Sequence, residues 1–342
     1  EHIFVDSIRK TIVHIVYASD DKFAEILGVS LVSLYENSKN AEDIKVYVLD
    51  SGINSDNKRK LMSLSKKYKR SDIQFIKATD ISKVLSMKVN LDRGSLSQYA
   101  RLFISSVLPK TLERVIYLDC DIIINKSILE LWQIDMHGKT ISALKDAFSK
   151  QYRKNINLKP NDIMFNSGVM LIDMKKWHDN NIEKKLLKFI KSKHGNIQQG
   201  DQGALNAVLS KDTFVFHPKF NSVTIFYDFS YDEILVYRKP VDFYTKKEIQ
   251  EAVNEPVLIH YTTSFTSVRP WYNGCKHKYA SKWTEYKKMS PWADSPMWEK
   301  KKESGLKGAY ISISRKMPRN VMIRFSGLLQ AYGRPFIYSL KR

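Results

Sequence analysis

The run RVIYLDCDIII occupies residues 114–124 and places two carboxylates, Asp119 and Asp121, among apolar residues. An isolated charge among apolar groups is energetically costly, so such a carboxylate is usually paired, hydrogen-bonded or bound to a metal. Residues i and i+2 of an extended strand point to the same side, so the two carboxylates can share one cation. Cys120 would then point to the opposite side. The run therefore predicts a buried strand that carries a candidate cation site.

The ligand type narrows the choice of cation. Neighbouring carboxylates repel each other unless a positive charge lies between them, and hard oxygen ligands favour magnesium, calcium or manganese over zinc or copper. An added imidazole would shift the preference towards manganese. The alternative reading is that the pair caps a loop or forms ion pairs with Arg101 or Arg114.

Two metal-dependent chemistries use such a pair of aspartates. In aspartyl-phosphate phosphatases the nucleophilic aspartate follows the first strand. Here several strands precede the pair and the expected threonine is missing, which disfavours that chemistry. In nucleotide-sugar transfer, the metal bridges the aspartates and a diphosphate leaving group and stabilises the charge that develops on it.

Strand-like and helix-like runs alternate around this stretch. Upstream, short β-branched runs at 12–17, 44–50 and 72–78 are separated by segments with the apolar spacing or polar composition of surface helices. The run SLSQYARLFISSVLP, at 95–109, predicts another helix. Downstream, we expect further strands and helices in TISALKD, FNSGVMLIDMKKW, DQGALNAVLS and VLIHYT. This order predicts an α/β fold with a mostly parallel central sheet covered by helices.

Polar residues stand at the carboxyl ends of three of these strands. They are Asp20, Asp119 and His260. Ligand sites in open parallel sheets lie at that edge, so these residues indicate a nucleotide site. The sequence contains neither a G-x-G-x-x-G run nor a Walker lysine loop, and so lacks the common phosphate-binding loops.

The composition excludes several other classes of protein. With 342 residues, 43% hydrophobic and 27% charged, the chain is neither disordered nor an integral membrane protein. Its length allows one large α/β domain with an appendage, or two domains. The two cysteines, Cys120 and Cys275, are too few for a disulfide framework or a zinc site, and favour the reducing cytoplasm.

The net charge of +20 is concentrated towards the C-terminus. From Pro270 onwards there are 16 Lys plus Arg against 4 Asp plus Glu, together with 12 aromatic residues. In the run 314–342, apolar residues share one helical face: Val321, Met322, Phe325, Leu328, Leu329 and Tyr332. The basic residues beside them are Arg315, Lys316, Arg319, Arg324 and Arg334. This pattern suits an anionic membrane surface.

The C-terminal pattern is compatible with two other interpretations. The apolar face can pack on the rest of the protein while the charges stay solvated, and this packing is compatible with membrane binding. Nucleic acid is disfavoured because no RNA- or DNA-binding fold is visible.

Six stretches together resemble glycosyltransferase family 8, and they occur in the order found in that family. They are IVYASDDKFAEILGVSLVSL, SQYARLFI, VIYLDCDIII, FNSGVMLIDMKKW, GDQGALNAVL and HYTTSFTSVRPW. The resemblance runs from residue 12 to about 275. It implies a GT-A, Rossmann-like nucleotide-diphospho-sugar transferase domain at 1–275, with a basic, aromatic-rich helical extension at 276–342. It also implies a UDP-sugar donor, a divalent metal and retention of the anomeric configuration.

The resemblance assigns roles to individual residues. Asp119, Asp121 and His260 would bind Mn²⁺, with Mg²⁺ as the second choice. Gln202 would lie near the anomeric carbon and Asp201 would accept sugar hydroxyls. The residues expected to bind the donor are Ala18, Asp20, Phe23, Arg101, Cys120, Asn166, Ser167, Gly168 and Arg269. A glutamine is a poor nucleophile, so departure and attack on the same face are favoured over double displacement if Gln202 is the nearest group.

Several of these roles have structural alternatives. Phe23 would stack on the uracil, or it would belong to the apolar core on the first helix. Asp201 would bind the sugar, or it would only cap its own helix. Cys120 suits packing better than ligation. The closing run from His260 is three residues longer than the usual H-x-x-G-x-x-K-P-W, with Thr263 for Gly and Arg269 for Lys. Arg269 can still bind a diphosphate, because its planar guanidinium matches phosphate oxygens.

The function expected from these observations is transfer of a hexose from a UDP-sugar. Galactose is the first choice and glucose the second. The acceptor would be a glycan of a bacterial surface polysaccharide or glycoprotein, assembled in the cytoplasm at the inner face of the plasma membrane. The alternative is a non-catalytic membrane- or glycan-binding module on a degenerate transferase fold, which the full set Asp119, Asp121, His260 and Gln202 argues against.

Overall fold

The computed structural model of the protein describes residues 11–90, 96–264, 267–299, 305, 312–313 and 316–340. Its strands are β1 Ile12–Ser19, β2 Asp43–Asp50, β3 Gln74–Lys77, β4 Arg114–Leu118, β5 Ile122–Ile124, β6 Ile141–Lys145, β7 Phe165–Asp173, β8 Thr213–Val215, β9 Ser222–Val223 and β10 Leu258–His260.

The helices follow the strands in alternation for most of the chain. They are α1 Ala24–Asn37, α2 Ser55–Lys67, α3 Ile81–Leu85, α4 Ile104–Val107, α5 Leu129–Trp132, α6 Lys150–Asn155, α7 Met174–Asp179, α8 Ile182–Ser192, α9 Gly200–Leu209, α10 Ile225–Asp228, α11 Tyr231–Arg238, α12 Lys246–Asn254, α13 Ala280–Lys288, α14 Arg319–Leu328 and α15 Arg334–Ser339. Shorter 3-10 segments include Leu96–Phe103 and Pro218–Asn221, and a π-turn, Leu329–Gly333, joins α14 to α15.

The strands form a seven-stranded sheet in the order β3-β2-β1-β4-β7-β6-β8 and a three-stranded sheet in the order β5-β10-β9. Four of the six neighbouring pairs in the larger sheet are parallel, and β7 is antiparallel to both of its neighbours. Along β1, Val13, Ile15 and Tyr17 belong to one apolar cluster and Val16 to another, as expected for a strand buried on both faces. The predicted α/β fold with a mostly parallel sheet is confirmed.

The run 114–124 is two strands rather than the single strand predicted. The Asp119 N–H donates to the Gly168 carbonyl at 2.8 Å, and the Tyr261 N–H donates to the Asp121 carbonyl at 3.0 Å. The backbone therefore changes partners, from β7 in the larger sheet to β10 in the smaller one. Both aspartates lie in the turn between the strands, and the antiparallel register pairs His260 with Ile122.

The helix predicted over 95–109 is mostly a 3-10 helix. Leu96–Phe103 winds with 3-10 geometry before the short helix α4. Side chains three residues apart are eclipsed in a 3-10 helix, so Gln98 and Arg101 lie on the same side. Both face the candidate site.

The segment after residue 275 packs against the same core as the residues before it. Trp283 and Trp292 belong to the apolar cluster that covers α1. The Lys287 ammonium lies 2.5 Å from a Glu25 carboxylate oxygen. A β-carbon at Gly28 would collide with the Trp292 ring, so the glycine makes room for this packing. The domain division at 275 stays a prediction.

The last two helices lie on the body of the protein and leave an apolar face exposed. In α14, Arg319 pairs with Glu233 at 2.7 Å. The Tyr152 hydroxyl donates to the Gln330 carbonyl at 2.8 Å. The exposed apolar side chains are Val321, Phe325, Leu328, Leu329, Tyr332, Phe336, Ile337 and Leu340. Arg315 lies outside the described residues. No helix in the described part of the chain is long and apolar enough to span a membrane.

Candidate active site

Two neighbouring cavities open beside the turn between β4 and β5. The larger, about 450 Å³, is lined by Gln98, Arg101, Asp119, Tyr152, Ser167, Gln198, Gln199, Asp201, Gln202, Thr263, Arg334, Ile337 and Tyr338. The smaller, about 370 Å³, is lined by Ala18, Ser19, Asp20, Phe23, Ser97, Gln98, Arg101, Tyr117, Asp119, Cys120, Asp121, Thr263 and Arg269. The two cavities form one cleft with two compartments, because they share four lining residues. The shared residues are Gln98, Arg101, Asp119 and Thr263.

Three predicted metal ligands meet at the base of this cleft. One ligand atom from each of Asp119, Asp121 and His260 lies within 4.8 Å of the others. His260 Nε2 is 3.2 Å from Asp121 Oδ1 and 3.8 Å from Asp119 Oδ2. His260 is 1% exposed, so no bulk water separates its ring from the carboxylates.

A chain of hydrogen bonds fixes the His260 tautomer. The Gly168 N–H can only donate, and it points at Asn166 Oδ1 at 3.0 Å. Asn221 Nδ2 donates to the same oxygen at 2.9 Å, which leaves Asn221 Oδ1 as an acceptor 2.8 Å from His260 Nδ1. His260 therefore carries a proton on Nδ1, so its neutral form offers the lone pair of Nε2 on the side of the aspartates.

This arrangement fits a divalent cation. The buried Nε2 has no hydrogen-bond partner among the described residues, although two carboxylate oxygens face it. A lone pair facing two anions is unfavourable unless a positive charge lies between them. Two carboxylates and one imidazole form a donor set that suits Mn²⁺ or Mg²⁺.

Arg101 connects the predicted metal ligands to the predicted catalytic pair. Its Nη2 lies 2.9 Å from Asp119 Oδ1 and its Nε lies 2.9 Å from Asp201 Oδ2. Nη1 donates to the Ser167 carbonyl at 2.7 Å, and the guanidinium lies 4.4 Å from the Tyr117 ring centre. Burial acts to lower the pKa of Arg101, but the Asp119, Tyr117 and Asp201 side chains together raise it above its usual value. Arg101 is therefore a buried, permanently charged bridge.

Asp201 and Gln202 begin helix α9 and face the larger cavity. The Asp201 carboxylate pairs with Arg101. Gln202 Oε1 accepts from the Ser167 N–H at 3.2 Å, and Gln202 Nε2 lies 3.4 Å from Asp146 Oδ2. These contacts hold the two adjacent side chains in place, which is what a pair of residues that binds one ligand needs.

Comparison with known proteins decides the family. The model of glycosyl transferase family 8 matches residues 14–275. This chain belongs to glycosyl transferase family 8. General stress protein A of Bacillus subtilis (strain 168) is 29% identical over 288 residues, which cover 83% of this chain and 96% of that protein. The lipopolysaccharide 1,2-glucosyltransferase of Escherichia coli (strain K12) is 24% identical over 82% of this chain and 79% of that protein.

A solved structure supports the fold assignment. The galactosyltransferase LgtC, in complex with donor and acceptor sugar analogs, aligns with a TM-score of 0.68 and 24% identity. The alignment covers 82% of this chain and 96% of LgtC. The predicted GT-A fold and the predicted hexosyltransferase class of this family 8 enzyme are confirmed.

The predicted base-binding residues lie in the smaller cavity. Asp20 Oδ1 accepts from the Phe23 N–H at 3.1 Å, so this carboxylate also begins the first helical segment. Phe23 is half-buried and meets Trp271 and Trp298 edge to face, at 6.4 and 6.1 Å between ring centres. Phe23 thus packs against two tryptophan rings while it lines the cavity, and its role in base binding stays a prediction.

Of the remaining residues predicted to bind the donor, some line the cavity and others lie behind its wall. Ser167 lines the larger cavity. Asn166 and Gly168 lie behind it, because the Asn166 side chain turns towards Asn221 and the Gly168 backbone lies against the metal ligands. The Cys120 thiol donates to the Ala18 carbonyl at 3.3 Å, and burial raises the pKa of this thiol.

The closing loop reaches the predicted metal ligands through Arg269. Its Nη2 lies 3.4 Å from Asp121 Oδ2, and its guanidinium lies 5.2 Å from the Trp271 ring centre. Thr263 lines both cavities, whereas Phe265 and Thr266 lie outside the described residues.

Several polar residues of the site were missed at the level of sequence, and four of them have a clear place in it. Asn221 and Asp146 orient His260 and Gln202, Gln98 faces both cavities, and Arg334 reaches the larger cavity from the last helix. Asp146 follows β6 directly and could have been noticed as a polar residue at a strand end. The other three carry no local signal, because 3-10 turns and a distant helix bring them to the cleft.

Proposed function

We propose that this enzyme transfers a hexose from a UDP-sugar to a glycan acceptor with retention of the anomeric configuration. Galactose is the first choice of sugar and glucose the second. The observation that carries the proposal is the cleft in which the buried Arg101 joins the Asp119, Asp121 and His260 cluster to Asp201 and Gln202. The relatives named as a glucosyltransferase and as a galactosyltransferase support this choice of sugars.

The donor would span both compartments of the cleft. The uridine would occupy the smaller cavity beside Asp20 and Phe23, and the hexose would occupy the larger one beside Gln202. Mn²⁺ is the proposed cofactor and Mg²⁺ the second choice; when bound, it would stabilise the charge that develops on the diphosphate leaving group. Arg269, beside Asp121, would add its guanidinium to the diphosphate oxygens.

The bond between the anomeric carbon and the diphosphate oxygen would break while a bond to the acceptor oxygen forms on the same face. The acceptor proton would pass to the departing phosphate oxygen. A carboxamide is too weak a nucleophile for a covalent intermediate, so Gln202 would hold the hexose rather than attack it. Asp201, fixed by Arg101, would accept sugar hydroxyls.

The acceptor would approach beside helix α15. Arg334, Ile337 and Tyr338 line the larger cavity together with Gln202, which supports an acceptor-related role for the C-terminal extension. The exposed apolar face of α14 and α15 lies in the most basic part of the chain. We propose that this face binds an anionic membrane surface, at the inner face of a bacterial plasma membrane, where surface polysaccharide or glycoprotein is built.

Slow hydrolysis of a UDP-hexose tests the proposal without knowledge of the acceptor. Purified enzyme with Mn²⁺ should release UDP from UDP-galactose or UDP-glucose, and a chelator should stop the release. Absence of turnover of any UDP-sugar, with or without a panel of glycan acceptors, would instead support the non-catalytic binding module. A thermal-shift screen of UDP-sugars with Mn²⁺ would then rank the donors.

A further inference from the structure

Gln98 occupies the junction between the two compartments of the cleft. It lines both cavities, together with Arg101, Asp119 and Thr263. The 3-10 winding of Leu96–Phe103 places Gln98 and Arg101 on the same side. Arg101 Nε also donates to the Gln98 carbonyl at 3.2 Å. The position of Gln98 is therefore tied to the bridge that holds the catalytic pair.

The side-chain amide of Gln98 has no hydrogen-bond partner among the described residues. Gln98 is 8% exposed, and both Oε1 and Nε2 are buried without a partner. Buried amides in native proteins are nearly always hydrogen-bonded, because an unpaired one loses its hydration without compensation. The Gln202 amide nearby shows the usual pattern, with contacts to Ser167 and Asp146. A buried, unpaired amide that lines a ligand cleft indicates a partner on the ligand.

The chemistry of the amide selects the kind of ligand group. Oε1 needs a donor and Nε2 needs an acceptor. Phosphate oxygens only accept, so a diphosphate would satisfy Nε2 and leave Oε1 unpaired. Adjacent hydroxyls of a hexose offer both roles. The uracil edge also offers both, but Ala18, Asp20 and Phe23 line only the smaller cavity, whereas Gln98 also borders the compartment of Asp201 and Gln202.

We propose that the Gln98 amide binds two adjacent hydroxyls of the transferred hexose and so determines which UDP-hexose this enzyme prefers. The inference rests on the proposed function, because it assumes a UDP-hexose in the cleft. Gln98 would discriminate between sugars that differ in the orientation of one hydroxyl, because a misplaced hydroxyl leaves one amide atom unpaired.

Gln98→Met tests the inference, because methionine keeps the length of the side chain and removes both hydrogen-bonding atoms. Calorimetry with Mn²⁺ would compare UDP, UDP-galactose and UDP-glucose. We expect unchanged affinity for UDP, about tenfold weaker binding of the preferred UDP-hexose, and a smaller difference between the two sugars. Gln250→Met, at an exposed position of α12, is the matched control and should bind all three as the native enzyme does.

The stability of the variant separates a binding role from a structural one. Replacing an unpaired buried amide by an apolar group of similar shape should leave the melting temperature of the ligand-free protein unchanged or raise it. A clear fall in melting temperature would show that the amide has a partner within the protein, and would overturn the inference.

The binding results separate failure of the inference from failure of the proposed function. If the native enzyme binds no UDP with Mn²⁺, the proposed function fails and the inference fails with it. If Gln98→Met weakens UDP and UDP-hexose equally, the amide contacts the nucleotide and the inference alone is wrong. Unchanged binding of all three ligands, or native affinity no greater for a UDP-hexose than for UDP, would also overturn the inference alone.

Discussion

Asn221 Oδ1 lies 2.8 Å from His260 Nδ1, and this contact holds a proton on Nδ1 while Nε2 faces Asp119 and Asp121. Without it, the ring could protonate on Nε2 and turn a hydrogen, rather than a lone pair, towards a cation. Residues that orient a metal-binding histidine typically contribute 10- to 100-fold to metal affinity. Asn221→Leu should therefore weaken Mn²⁺ binding by about 10- to 100-fold, measured as free Mn²⁺ by electron paramagnetic resonance.

The control for this measurement is an asparagine far from the cleft. Asn40 is exposed and accepts a hydrogen bond from Ser127 Oγ at the surface, so Asn40→Leu should keep native Mn²⁺ affinity. Equal Mn²⁺ affinity in native enzyme and in a folded Asn221→Leu variant would show that the tautomer of His260 does not depend on this contact.

Removal of Asp121 should abolish metal-dependent binding of UDP. Its Oδ1 lies nearest to His260 Nε2 and its Oδ2 lies 3.4 Å from Arg269, so the substitution removes both a ligand and the partner of the closing loop. We expect Asp121→Ala to lose the increase in UDP affinity that Mn²⁺ gives to the native enzyme, as measured by calorimetry. Asp56→Ala, an exposed carboxylate on α2, should retain it. Unchanged affinity of Asp121→Ala would refute the shared-cation geometry.

A glycine is needed at position 168 because the proposed metal ligands leave no room for a side chain there. A β-carbon at this position would collide with His260 Cε1 and lie 2.9 Å from Asp119 Oδ2. Gly168→Ala should therefore displace both ligands, weaken Mn²⁺ binding and destabilise the fold by about 1–3 kcal/mol, the usual range for overpacking. Titration with Mn²⁺ and thermal unfolding measure the two effects.

Gly333 provides the matched glycine control. A β-carbon there would meet only Leu329 Cδ2, at an ordinary contact distance of 3.6 Å, in a helical stretch. Gly333→Ala should leave Mn²⁺ affinity and stability close to native values. If Gly168→Ala behaves in the same way, the ligands have more room than the structure indicates.

The sequence could predict the elements and bring the proposed metal ligands to attention because both leave local patterns. Strand and helix periodicity identified the α/β alternation, and Asp119, Asp121 and His260 each stand at or near a strand end. The break of 114–124 into two strands could not be predicted, since the apolar pattern is the same on either side of the break. It arises from a change of hydrogen-bond partner, from Gly168 to Tyr261, which is a property of the tertiary fold.

The residues that support the site could not be predicted, because their positions depend on contacts between segments that are far apart in sequence. Asn221 reaches His260 from 39 positions away, and Gln98 faces both cavities only because its segment winds as a 3-10 helix. An asparagine or glutamine in a turn is ordinary in any sequence. Its role becomes visible only when the structure shows which described residues, if any, form hydrogen bonds with it.

The exposed apolar face of α14 predicts binding to anionic membranes. A chain cut near residue 275 would remove Trp283 and Trp292 from the core, so point substitutions test the surface better than truncation. Phe325→Asp combined with Leu328→Asp should weaken cosedimentation with phosphatidylglycerol vesicles, while hydrolysis of UDP-hexose continues. Val84→Asp, at another exposed apolar position, is the control. Undiminished vesicle binding by the double variant would count against this face as the anchor.

His277 should make the stability of the protein depend on pH. Its ring packs against Tyr227 and Tyr261, with 4.4 and 4.9 Å between ring centres, and its Nδ1 accepts from the Tyr279 N–H at 3.1 Å. Burial lowers the pKa of His277 from the ordinary 6.5 to about 4. The folded protein therefore holds this imidazole in its neutral form.

Between pH 6.5 and 4 the unfolded chain binds a proton at His277 that the folded protein does not. The contribution to stability is thus complete above pH 6.5 and is lost as the pH falls towards 4, up to about 3 kcal/mol. His277→Gln removes this titration, so urea unfolding should show a smaller loss of stability between pH 7.5 and 4.5 than in native protein. His194→Gln, an exposed histidine, should follow the native profile. Parallel profiles for native protein and His277→Gln would mean that the imidazole is solvated in the fold.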